Sequence, residues 1–188
     1  MEELEEYLIQ NFDVSKNEID NVLEKFQLIE IKKNEYLLRS GDICEYIYFV
    51  VSGCLRTFFY NSEGFDSTRY IAFENNFIGP LHSFIQQIPS NENISAVEQS
   101  KVLRISHRDF KEGMNSIPVI KDLYIQFLEK AYIMNYWRIE TFLSLDAKER
   151  YVYLFNNNKL MIKRLPNKIL ASFIGIAPES LSRIKSKI

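Results

Sequence analysis

Seven basic side chains and one acid occupy residues 159–188: Lys159, Lys163, Arg164, Lys168, Arg183, Lys185 and Lys187 against Glu179. That segment carries +6 in a chain whose formal net charge is −2, so the residues before it sum to −8. A weakly acidic chain with a strongly cationic end suits local attraction to a polyanion such as the phosphate backbone of DNA. Residues for covalent chemistry are sparse by comparison. Two histidines and two cysteines, Cys44 and Cys54, offer neither metal-ligand spacing nor a disulfide framework. There is no nucleophile elbow and no glycine-rich phosphate loop, so no catalytic or metal-ligating residue is assigned and the enzyme reading finds no support.

The cations need elements to position them. PNKILASFIGIAPESLSRIKSKI, residues 166–188, reads as a helix-turn-helix. Leu170, Ala171 and Ile174 form the inward stripe of a first helix, Gly175 supplies a turn position that tolerates positive φ, and Ile176 packs beneath the turn. Pro178 suits a first helical position because its missing N–H would be unpaired there anyway. Leu181 and Ile184 then face inward, which leaves Glu179, Ser182, Arg183 and Lys187 outside. The same apolar spacing also fits a terminal helical hairpin that only caps a core; the density of cations favours the DNA-facing alternative.

Upstream, 46% hydrophobic content in 188 residues suffices for one domain and a small second one. Leu4, Tyr7, Leu8 and Phe12 share a helical face, and Ser15 with Glu18 makes a capping box before Ile19, Val22, Leu23 and Phe26. From Leu28 the period becomes that of strands. YIYFVVSG reads as a central strand, CLRTFFYNSEGFDSTRYIAF as a hairpin closed at residues 61–64, and further strands follow at 94–98 and 101–105. Short strands at regular spacing predict an α+β chain with a closed antiparallel β-roll of jelly-roll type. Ser106 caps a short helix, and Pro118 opens a long one reaching about residue 142. Along that helix Ile120, Tyr124, Phe127, Ala131 and Met134 recur in steps of four and three, a seam suited to self-association. The alternative is that this stripe packs on the roll; Leu123, Leu128 and Trp137 offer a second apolar strip that could face the roll instead and so favour self-association. Asp146 caps the next helix, and the asparagines at 156–158 end it.

This order of parts, with its GD…YIYFVVSGCLR core, IGPL turn, SAVEQSKVLRIS strand pair and LPNKILASFIGIAPESLSRIK end, resembles the Crp/Fnr family of bacterial transcription regulators. The resemblance implies a cyclic-nucleotide-binding-like roll with N-terminal helices at 1–115, a dimerisation helix at 116–143 and a helix-turn-helix DNA-binding domain at 144–188. It implies double-stranded DNA, a second copy of the chain and RNA polymerase as partners, and a palindromic operator whose half-sites lie about 34 Å apart. Glu179 and Arg183 match the family's base-reading pair; an ordinary surface ion pair is the competing role. Ser180, Ser182, Lys185 and Lys168 are assigned to the phosphates, and Pro178 and Lys187 to the DNA interface beside them. Ala177 stands where the family pattern has a Ser or Thr cap, and any wing contact is expected from residues 159–164.

Nucleotide-binding members of the family use a Gly-Glu-Leu turn and a later Arg. Here the turn reads Gly79, Pro80, Leu81, and no Lys or Arg occurs from Leu81 through Ser100. A buried cyclic phosphate would lack a counter-charge, so cAMP is not expected and no cofactor is assigned. Two cysteines cannot ligate an iron–sulfur cluster, and a haem would depend on His82 or His107. An unidentified apolar effector is placed at Tyr70, Gly79, Pro80, Leu81, His82 and Phe84. The acidic N-terminus and the absence of a spanning apolar run predict a cytoplasmic protein with no membrane partner. The rival to a DNA-binding regulator is a roll that serves only as an interaction module.

Overall fold

The computed structural model describes residues 1–187; Ile188, the end of the predicted terminal module, lies outside the described residues. Local signals set the first two helices. Helix α1 (Glu2–Asn11) buries Leu4, Tyr7 and Leu8. Helix α2 (Lys16–Leu23) begins on the expected box: Glu18 N donates to Ser15 Oγ at 3.3 Å and Ser15 N donates to Glu18 Oε2 at 2.9 Å.

Eight strands follow: β1 (Gln27–Ile31), β2 (Tyr36–Leu38), β3 (Tyr46–Ser52), β4 (Leu55–Tyr60), β5 (Asp66–Ala72), β6 (Phe77–Ile78), β7 (Asn93–Ala96) and β8 (Ser100–Ser106). They form two four-stranded sheets of order β1-β8-β3-β6 and β2-β7-β4-β5, and every pairing given for them is antiparallel. Leu55, Ala72, Ile94 and Ala96 of the second sheet share one core with Phe49, Val50, Val102 and Leu103 of the first. Strand β3 lies between two neighbours, and Ile47, Tyr48, Phe49 and Val50 are all buried. Its sequence therefore lacks the apolar–polar alternation of a half-exposed strand. Tyr7 of α1 meets Phe49 edge-on at 5.3 Å between centroids, so α1 packs against that sheet at β3. The hairpin β4–β5 closes as expected: Asn61 Oδ1 accepts from Glu63 N at 3.0 Å and Phe65 N at 2.9 Å.

Helix α3 (Leu81–Gln86) lies between β6 and β7, α4 (His107–Ser116) follows Ser106, and α5 (Pro118–Ser144) is the long helix. Three shorter helices, α6 (Ala147–Asn157), α7 (Lys159–Arg164) and α8 (Asn167–Ile174), lead to α9 (Pro178–Lys185). The chain divides into two compact units: Met1–Phe59 with Tyr70–Leu128, and Tyr60–Arg69 with the chain from Glu129 on. The division falls inside α5 and not at 116 or 143, and the tip of the β4–β5 hairpin belongs to the second unit.

The self-association seam needs correction. Ile120 is buried in the core of the first unit, and Tyr124 and Phe127 pack against that core. Ala131 and Met134 are half-buried on the same side of the helix in the second unit. Turned outward instead are Tyr132, Tyr136, Ile139 and Leu143, in steps of four, three and four, with Leu143 84% exposed. Because α5 is apolar on nearly every side, its sequence carries a seam-like period in more than one direction. The roll takes the first stripe.

Candidate nucleic-acid interface

Helix α8, the turn at 175–177 and α9 stand where the terminal module was predicted. Leu170, Ala171, Phe173 and Ile174 of α8 and Leu181 of α9 are buried against the rest of their unit, and Ile184 is half-buried. Gly175 ends α8 at φ 75°, ψ 42°, a left-handed conformation that disfavours a Cβ. Space disfavours one too: a Cβ there would lie 2.6 Å from Cε1 of Phe142. Ile176 N donates to Ala171 O at 3.0 Å, which closes the turn.

Two arginines that sequence reasoning did not single out hold the end of α8. Arg138 Nη1 donates to Phe173 O at 3.1 Å; Arg150 donates from Nε to Ile174 O at 2.9 Å and from Nη1 to Leu145 O at 2.7 Å. Both guanidinium groups lie over the ring of Phe142, at 4.7 and 4.6 Å. Cations at the last carbonyls of a helix satisfy orphan acceptors and oppose the negative end of its dipole. Burial, and then the neighbouring Arg69 and Arg150, lower the Arg138 pKa to about 10, so it remains charged at neutral pH. From the other direction, Ser172 Oγ accepts from Thr68 N at 2.8 Å and donates to Asp66 O at 3.0 Å, which ties α8 to the hairpin tip. Nothing local in the sequence signals either device, because the partners are far apart along the chain.

The outward face of α9 holds Pro178, Glu179, Ser182 and Arg183, Lys187 follows in the turn after the helix, and Lys168 lies on α8; all are exposed. Among the described residues no ion pair joins Glu179 to Arg183; Arg183 Nη2 donates to Ser180 Oγ at 3.3 Å instead. Ser182 Oγ donates back to Pro178 O at 3.1 Å. Lys185 stands apart from the other cations. Its ammonium donates to Asn167 Oδ1 at 2.5 Å and lies 6.0 Å from the ring centroid of Tyr151, so it is turned onto its own unit. Ala177 is the N-cap of α9 and supplies no side-chain acceptor, as expected. Residues 159–164, the expected side for a wing, form α7, whose start is fixed by Asn158 Oδ1 accepting from Met161 N at 3.1 Å.

The residues assigned to an effector do not gather around one cavity. Gly79 and Pro80 are buried, His82 is exposed and Tyr70 is half-buried on β5. Phe84 is fully buried, meeting Phe110 and His107 edge-on at 5.3 Å each. Leu81 and Phe84 line a wholly apolar cavity of about 30 Å³ that leaves out the other four. That volume has room for no more than a few water molecules, so aromatic packing leaves no space there for an effector of any size. Cys44 and Cys54 are buried free thiols, and burial pushes the Cys44 thiol up to about 12. Among the described residues no group of His, Cys, Asp and Glu is arranged to hold a metal ion.

Residues 28–116 match the family model of the cyclic nucleotide-binding domain. No curated protein matches the sequence. Solved structures do. The c-di-GMP-responsive global regulator CLP of Xanthomonas campestris is similar with a TM-score of 0.75 at 16% identity, over 92% of this chain and 91% of that one. The Thermus thermophilus catabolite activator protein gives 0.60 at 20% identity, over 93% and 83%. A protein of Eubacterium rectale assigned to the crp/fnr family of transcriptional regulators gives 0.73 at 17% identity, over 95% and 85%. At these identities the likeness is one of fold: antiparallel sheets, N-terminal helices, a long helix and C-terminal helices.

Proposed function

We propose that the chain is a sequence-specific, DNA-binding transcription regulator of the Crp/Fnr type that acts as a homodimer and reads its operator with α9. The outward face of that helix carries the reading. Glu179 and Arg183 are exposed one turn apart and not paired with each other, with Lys168 and Lys187 exposed in the same module. A guanidinium can donate two bonds to guanine O6 and N7, and a carboxylate can accept from cytosine N4. The exposed lysines supply phosphate contacts that position the helix without reading sequence. The outward strip Tyr132, Tyr136, Ile139 and Leu143 supports pairing of two copies along α5. Such a protein works on DNA in the cytoplasm, and among the described residues no helix is long and apolar enough to cross a membrane.

The roll, in this reading, works without a cyclic nucleotide. The turn at Gly79, Pro80 and Leu81 has no carboxylate for a ribose, and residues 81–100 hold no cation for a phosphate. cAMP should leave the melting temperature unchanged; a dose-dependent rise would overturn this part. The principal test is selection of bound duplexes from a random pool by the full chain. An inverted repeat whose half-sites lie about one helical turn apart is expected, with affinity that falls steeply as salt rises. If no sequence is enriched at low salt, the DNA reading fails and the roll stands as an interaction module.

A further inference from the structure

The guanidinium of Arg183 is held in the unbound chain by a hydroxyl. Ser180 lies one turn earlier on α9, and Arg183 Nη2 donates to Ser180 Oγ at 3.3 Å. Among the described residues Arg183 makes no ion pair, so that hydroxyl is the polar partner of its guanidinium. Residues three apart share a helix face, which brings the two side chains together. Ser180 is itself fixed. It is half-buried, its N–H donates to Ala177 O at 3.0 Å, and Leu181 beside it is fully buried.

The other hydroxyls near Arg183 are committed differently. Ser182 Oγ donates to Pro178 O at 3.1 Å, and Ser186 Oγ donates to Arg183 O at 3.0 Å. Each spends its single proton on the backbone of its own helix, whereas Ser180 Oγ serves as an acceptor. A hydroxyl partner also differs from a carboxylate in what it leaves behind. It restrains the guanidinium without neutralising it, and the remaining donors keep an edge free to meet guanine O6 and N7 together. A long side chain gives up many rotamers to make a bidentate contact, and restraint before binding reduces that loss.

We propose that Ser180 is a positioning residue for Arg183: it orients the guanidinium for base reading and so sharpens the choice of operator, and it is not a phosphate contact. This role rests on the DNA-reading function proposed above and deepens it. Ser180 acts through Arg183, so its effect belongs to the discrimination between sequences and vanishes when Arg183 is absent. A phosphate contact would do the opposite, since it strengthens every duplex alike.

The full chain is titrated with its selected operator and with a scrambled duplex. Ser180→Ala should lower the preference for operator about two- to tenfold by weakening the operator alone, with the scrambled duplex and the salt slope unchanged. A helix accepts Ala at that position, so the melting temperature should hold. Ser180→Thr keeps the hydroxyl and should restore the preference. In an Arg183→Ala background, Ser180→Ala should change neither duplex. A readout without DNA accompanies these: side-chain Nε relaxation of Arg183 by NMR should show greater mobility in Ser180→Ala than in the unsubstituted chain or Ser180→Thr. The positioning role is overturned if Ser180→Ala weakens both duplexes equally, if its effect persists without Arg183, or if the mobility of Arg183 does not change. Unchanged mobility defeats this role alone. No preference for any duplex in the unsubstituted chain would defeat the DNA-reading function and this role together.

Discussion

Helices α3 and α9 both begin without a side-chain cap, on Pro80 and Ala177, and they differ in what surrounds their open N–H groups. At α3 the approach is sealed. Gly79 and Pro80 are buried, and a Cβ on Gly79 would lie 2.3 Å from Cδ1 of Ile47. No cation occurs between residues 81 and 100. At α9 the approach is open: Ala177, Pro178 and Glu179 are exposed, Arg183 follows on the same helix and Lys187 in the turn after it. A helix N-terminus attracts anions by its dipole and its orphan donors, but it becomes useful only where an anion can reach it and find further positive charge. One fold contains both cases, and the charged one faces outward.

The comparison breaks first if two copies do not present their α9 helices together. Ile139→Glu puts a charge at the middle of the outward strip of α5 and should convert a dimer to a monomer in sedimentation. Operator affinity should then fall by about a hundredfold or more, because each half-site binds alone. An unchanged mass would remove the strip from the argument.

Next in size is the division of labour on α9. Arg183→Ala should reduce the preference for operator over scrambled duplex by about 5- to 150-fold, the loss of a bidentate base contact. Lys187→Ala should weaken both duplexes alike and lower the salt slope by about one. Lys185→Ala sharpens the distinction, since its ammonium is held by Asn167. It should alter the melting temperature more than the salt slope. Equal losses from Arg183→Ala and Lys187→Ala in one titration would sink the base-reading role.

Smaller still are the two glycines. Gly175→Ala forces a Cβ at φ 75° against the ring of Phe142, and should cost about 2 kcal/mol in denaturant unfolding. Gly79→Ala meets only the end of the Ile47 side chain, which can rotate, and should cost less. The reverse order would show that the turn into α9 is less constrained than its geometry indicates.

Legibility followed the range of the interactions. Ser15 with Glu18, Ser106, Asp146, Asn61 and Gly175 act within five residues, and each stands where its local chemistry places it. The buried run of β3 was readable for a related reason, since β-branched and aromatic density survives even when alternation does not. The faces of α5 were not readable, because a helix apolar on every side has no unique stripe and only its neighbours choose one. The clasp of α8 by Arg138, Arg150 and Ser172 joins residues 24 to 106 positions apart, and no local pattern records it. Lys185 was assigned to phosphate by its charge alone. Its partner Asn167 lies 18 residues earlier.

The smallest expected effect tests the comparison most directly. Pro178 has no N–H, and Ser180 N and Leu181 N already donate to Ala177 O at 3.0 and 3.1 Å. Among the described residues, Glu179 N–H is therefore the orphan donor at the start of α9. Ala177→Thr offers it, or Ser180 N–H, a hydroxyl acceptor and should stabilise the chain by about 1 kcal/mol, read as a higher melting temperature. If that donor serves a DNA phosphate in the complex, the same hydroxyl competes with the phosphate, and operator affinity should fall slightly as stability rises. A rise in both would mean that the open end of α9 is only an unfilled cap, and that its difference from α3 lies in exposure alone.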